Sequence, residues 1–254
     1  MDDPNARLTI KINPRKLALW LLSISLIIMI LSLIGQQDRF FGEYRVNPVQ
    51  DYLLKIFIHQ FFVNDEGNIT TYWKALLLIL SSALTFVIAS AKFAQKDRYR
   101  YDWWLLGAVF LYLSVDEASI IHEKFSALLK GLPDLNGWAH YRWLYAGAVA
   151  VTSLAVVFIR FYLHLDIRNK VLFPLAAGIY LLGAAGGELF SGHYAQTYGT
   201  KNITYTLMTH GEEFGQHFGS IVMVYTLLTY LIAHYSQIAF ASPGPEKHQG
   251  AQHG

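Results

Sequence analysis

The chain has 254 residues, 54% of them hydrophobic and 15% charged, with a formal net charge of +2. A charged share well below the roughly 25% of soluble domains points to a membrane protein, and so small a net charge offers no basic surface for nucleic acid. With no cysteine, disulfides, thiolate metal sites, iron–sulfur clusters and a cysteine nucleophile are excluded.

A cytoplasmic tail over residues 1–16 is expected to lead into a first span at Leu17–Ile34. "SLIGQQDRF" after it lacks a small-x-small cleavage site, so this helix is expected to stay in the protein. The next segment, Gly35 to about Thr71, reads as an outer loop. Within it Val49, Tyr52, Leu53, Ile56, Phe57 and Phe61 recur at helical spacing, which predicts an amphipathic helix near 49–62 on the outer membrane face, passive or a lid. Five further spans follow: Ala75–Ser90, Trp103 to about Glu123, Trp143–Ile159, Val171–Gly187 and about Tyr205 to Ala233. Counting flanking residues, each reaches the roughly 20 positions a bilayer requires. The Pro/Gly/Gln/His-rich residues 234–254 read as a disordered cytoplasmic tail.

These elements make an all-α, polytopic bundle of about six spans over 17–233. No internal repeat divides it. Of the 20 Lys and Arg residues, 12 fall on the side of the amino terminus and 8, Lys74 among them, on the other. Such a bias places both termini in the cytoplasm, with a bacterial inner membrane as the expected location. The sequons at Asn68 and Asn202 fall outside.

Charged side chains are costly within hydrocarbon, so those inside spans are functional candidates. Three spans carry them: Asp116, Glu117, Ser119, His122 and Glu123; then Glu188 and His193; then His210, Glu212, Glu213, Gln216 and His217. At about 1.5 Å per residue they share one slab, the outer third of the bilayer. At about 100° per residue, His210, Glu213 and His217 form one stripe, and Asp116, Ser119 and Glu123 another. Glu117 and His122 then point elsewhere, and Glu212 lies off its helix's stripe. Mixed carboxylate and imidazole donors suit iron, manganese or zinc, and bundle cores hold di-metal sites with such residues. Asp116, Glu188, His210, Glu213 and His217 are the candidate ligands, with Glu117, Glu123 and Glu212 free for acid–base work. A metal-free hydrogen-bonded network and a heme or pigment contact are the other two readings of the same residues.

The segment "LSVDEASIIHEKF", followed by "HGEEFGQHFGS", resembles a group of bacterial polytopic membrane proteins with an LSxDE-x4-HE segment and a Glu-Glu near the last span. In the chemistry of the cluster the chain is also similar to membrane hydrolases such as alkaline ceramidases and adiponectin-receptor-like proteins. That second resemblance implies a histidine-held zinc and amide hydrolysis. The chain lacks their H-x-x-x-H pair and has six expected spans where they have seven.

Three functions follow from this arrangement. The first is a metal-dependent hydrolase or oxidoreductase acting on a lipid or other apolar substrate. The second is an accessory or assembly subunit of a larger membrane complex. The third, a proton or ion transporter, conflicts with the inner halves "WWLLGAVFL", "VLFPLAAGIYLL" and "IVMVYTLLTYLIA", which contain no group that ionises near neutral pH.

Overall fold

A computed structural model describes residues 11–41, 47–122, 124 and 143–235 of the chain. Among them every regular element is helical: α1 (Pro14–Phe41), α2 (Pro48–Phe61), α3 (Ile69–Ala94), α4 (Arg100–Ser119), α5 (Trp143–His164), α6 (Ile167–Tyr198) and α7 (Ile203–His234). The tails 1–10 and 236–254 lie outside the described residues, as does Glu123.

Short polar side chains fix where these helices begin. The Oδ1 of Asn13 accepts the Lys16 N–H at 3.1 Å just before α1. Asn47 accepts from Val49 before α2, with Pro48 in the first turn, and Asp166 accepts from Asn169 before α6. Asn202 does the same for α7 through the Tyr205 N–H. Each satisfies an amide that the first helical turn leaves open. Asn68 does more. Its Oδ1 takes the Thr71 N–H, while its Nδ2 donates to the carbonyls of His59, Phe62 and Asp65. It ties the end of α2 to the start of α3 and is 1% exposed. Both expected sequons are therefore helix caps, and Asn68 is too deeply buried to accept a glycan.

Five helices, α1, α3, α5, α6 and α7, are long and apolar enough to cross a membrane, so this is an integral membrane helical bundle. α4 carries Asp102, Asp116 and Glu117 and is less apolar, yet it runs antiparallel along α3. Ser114 Oγ donates to the Ala75 carbonyl at 2.9 Å, and Ser82 Oγ to that of Gly107 at 2.8 Å. Farther along, Phe86 meets Trp104 and Phe93 meets Tyr101 edge-on. Twenty residues at about 1.5 Å each give α4 roughly the 30 Å of a bilayer core.

α4 ends earlier than its apolar pattern predicts. Ile120 adopts φ 56° and ψ 43°, and its N–H bonds the Asp116 carbonyl. A β-branched residue in that left-handed region is uncommon and strained. It stops the helix at Ser119, short of the expected Glu123. α6 is also irregular, widening into a π-helical stretch at Leu182–Gly187.

The expected surface helix is present as α2. Val49, Tyr52, Leu53 and Ile56 are exposed, while the opposite side reaches α1 through Ile58, which sits over Gly35. The core lies toward the end of the bundle that carries the amino terminus. There the buried Trp103 ring lies 5.0 Å from Phe161 and 4.7 Å from Tyr230, with Phe173 at 6.0 Å. Ile88, Leu227 and Leu231 pack around them.

Candidate functional site

The stripes that bury α3, α4 and α7 carry ionisable groups at the ends away from Trp103. On α3 the buried face runs Lys74, Leu78, Ser81, Thr85, Ile88. On α4 it runs Trp103, Gly107, Phe110, Ser114, and the next position at that spacing is Glu117. On α7 it includes His217, Ser220, Val224 and Leu227, with Glu213 one turn toward the amino end.

These ends meet. The Lys74 ammonium lies 2.9 Å from Glu117 Oε1 and donates to both carboxylate oxygens of Glu213, at 3.1 and 3.0 Å. The three side chains are only 9%, 13% and 13% exposed, in the order Lys74, Glu117, Glu213. Tyr180 of α6 is within electrostatic reach of all three. His217 is fully buried and within electrostatic reach of Lys74. Among the described residues neither of its ring nitrogens has a hydrogen-bond partner.

Glycines bring the fourth wall close. A Cβ on Gly183 would fall 2.7 Å from the Gln216 backbone nitrogen, and one on Gly219 2.5 Å from that of Tyr180. Small residues let helix backbones approach in this way. Gly187 likewise leaves room for the Glu212 side chain, whose Oε2 accepts from Ser191 Oγ at 3.3 Å. Glu188 lies close enough to act electrostatically on Glu212. The π-helical stretch spans this contact, a placement that recurs at functional sites.

The predicted ligands are distributed over several contacts. Glu213 is bound to Lys74, and Glu188 stands with Glu212 and Ser191. Asp116 turns to the chain beyond Ile120, accepting from the His122 N–H at 2.8 Å and facing His122 Nδ1 at 3.1 Å. His122 Nε2 in turn lies 3.8 Å from Glu66. His210 is engaged on both sides. Its Nδ1 lies 2.7 Å from the Thr206 carbonyl, which can only accept, so Nδ1 carries the proton. Its Nε2 is then the acceptor for Ser32 Oγ at 2.9 Å. Ser32 Oγ also accepts the Val63 N–H at 3.2 Å, so His210 joins α1 and α7 to the α2–α3 connection. Among the described residues no three His, Asp or Glu side chains form a group that could hold a metal ion.

Two expectations about facing are thereby corrected. Glu117, not Asp116, reaches the centre, because α4 is turned to place Trp103, Gly107 and Ser114 against its neighbours. The stripe of Asp116 and Ser119 ends where the helix breaks at Ile120, and its third expected member, Glu123, lies outside the described residues. Glu212 lies off the Lys74 contact, as its angle predicts, and His193 lies on α6 beyond Ser191.

Lys74, which the sequence places among the outer-loop cations, is buried in the bundle. Two signals pointed inward: it abuts the uncharged run Ala75–Ser90, and it shares the spacing of Leu78, Ser81 and Thr85.

Residues 18–231 match the family described as Domain of unknown function (DUF8692), and the chain belongs to that family. No curated protein and no solved structure matches it, so the resemblance to ceramidase-like hydrolases gains no support.

Proposed function

We propose that the protein is a multi-pass membrane protein whose Glu117–Lys74–Glu213 cluster is a buried acid–base centre, acting on a lipid or apolar substrate that enters from the outer half of the bilayer. The observation that carries this reading is one ammonium held by two carboxylates, at 2.9 to 3.1 Å, with little solvent access. Fully ionised, the triad has one net negative charge. Isolated charge in an apolar medium is strongly disfavoured, so the centre tends to hold one further proton and can release it to a bound group. That is the requirement for general acid–base chemistry. His217, buried beside Lys74 with unpartnered nitrogens, is a second station for that proton. In this reading the ammonium takes the place expected for a divalent metal.

The test compares lipids extracted from membranes containing the wild-type protein or Glu213→Gln, at equal amounts of folded protein. Mass spectrometry is expected to show one lipid class altered only by the wild type. Identical lipid profiles would sink the enzymatic reading.

A second reading, an accessory subunit, is favoured by α5. Only 6% of its span is buried, against 61% for α7, and Val149, Val156, Val157 and Leu163 are all exposed. Stoichiometric partners retained through purification from native membranes, and lost on Val149→Ser/Val156→Ser, would establish it.

A further inference from the structure

Three span ends converge at the opposite face of the bundle from Lys74. They are the first turn of α1, the first turn of α6 and the last turns of α7. Between them lies a groove of about 420 Å³, lined by Ile12, Pro14, Arg15, Arg168, Tyr225 and Ile232 among others. The groove opens where three hydrophobic spans begin or end, which is headgroup level in a bilayer.

Its chemistry is cationic on one side and apolar on the other. Arg15 and Arg168 are exposed, and among the described residues neither forms an ion pair with a carboxylate. The nearby Asp166 is engaged by Asn169, through its backbone N–H at 3.0 Å and its Nδ2 at 2.6 Å. The Arg168 guanidinium donates to the Tyr225 hydroxyl at 3.2 Å, which holds it at the groove wall. Arg15 stands in the first turn of a 28-residue helix, where the backbone dipole adds positive potential. Ile12 and Ile232 are 49% and 54% exposed and offer an apolar wall to a glycerol backbone and its first methylenes. Arginine pairs phosphate through parallel N–H donors, and basic pockets between span ends suit anionic headgroups.

We infer that the groove between Arg15 and Arg168 is a binding site for the phosphodiester headgroup of an anionic phospholipid. It is separate from the Lys74 centre and independent of what that centre does. The whole chain, delipidated in a neutral detergent, is titrated with phosphatidylglycerol, phosphatidylcholine or inorganic phosphate, following thermal unfolding and lipid retention by native mass spectrometry. Phosphatidylglycerol is expected to raise the unfolding temperature by several degrees and to be retained, and phosphatidylcholine is not. Arg15→Gln/Arg168→Gln is expected to bind it about 30-fold more weakly, from two lost headgroup contacts. Lys96→Gln/Arg98→Gln, which removes the same charge outside the groove, is expected to keep the affinity. Tyr225→Phe retains the wall, frees Arg168 and produces a smaller loss. Equal responses to both lipids, an equal response to inorganic phosphate, or equal losses in the two double variants would overturn the assignment.

Discussion

The same four helices, α3, α4, α6 and α7, solve opposite problems at their two ends. Around Trp103 they interlock aromatic rings with Ile88, Leu227 and, from α5, Phe161. Around Lys74 they bring together two carboxylates for one ammonium, beside a histidine whose ring nitrogens bond to none of the described residues. The aromatic end is held chiefly by the fit of its rings. The ionic end costs desolvation energy that its attractions repay only in part. Buried charge of that kind is explained by what it does, and the proposed acid–base centre lies at the Lys74 end.

The largest expected effect removes the cation and keeps the carboxylates. Lys74→Met should destabilise the protein by about 3–5 kcal/mol, the usual result of breaking a buried pair. Adding Glu117→Gln and Glu213→Gln should restore most of that stability while function stays lost. Thermal unfolding of the purified single and triple variants reads both. A single variant as stable as the wild type would mean that this end is not organised around Lys74.

At the other end, Trp103→Leu should cost about 2–3 kcal/mol through the cavity it opens, and leave any activity per folded molecule unchanged. An activity loss larger than the loss of folded protein would erase the division between the two ends.

His217→Phe sharpens the same comparison. Its ring nitrogens contribute no hydrogen bonds, so a ring of similar shape should change stability by no more than about 1 kcal/mol. Activity, in contrast, should fall sharply. A strongly destabilised variant would make His217 a structural residue.

The smallest effect lies in the α3–α4 connection. Burial works against the charge of Asp97, but the Tyr99 N–H and the Lys92 ammonium outweigh it and hold its carboxyl below the ordinary value. The Lys92 Nζ lies 3.1 Å away. A carboxyl lowered by folding stabilises the protein above its unfolded value, and the contribution disappears as pH falls through the folded one. Stability should therefore decline modestly on acidification below the usual carboxylate range, and Asp97→Asn should flatten that part of the curve. Unfolding temperatures from pH 6 to 3 provide the check.

The division between sequence and structure follows the range of the forces involved. Helix positions rest on local chemistry. Apolar runs of bilayer length, with Asn13, Asn68, Asp166 and Asn202 at the starts of four of them, specify the spans without reference to any neighbour. The common depth of the polar groups also follows from helical rise alone, since it depends only on where each span begins. Which groups face one another depends on how each helix is rotated about its axis, and packing sets that rotation. Gly107 and Ser114 turn α4 so that Glu117 enters the centre, while the left-handed Ile120 swings His122 back onto Asp116. Gly183 and Gly219 set how closely α6 approaches α7. Lys74, one residue before an uncharged run, could be an outer-loop cation or a buried partner. Only the bundle, by placing two carboxylates within 3.1 Å of its ammonium, decided between them.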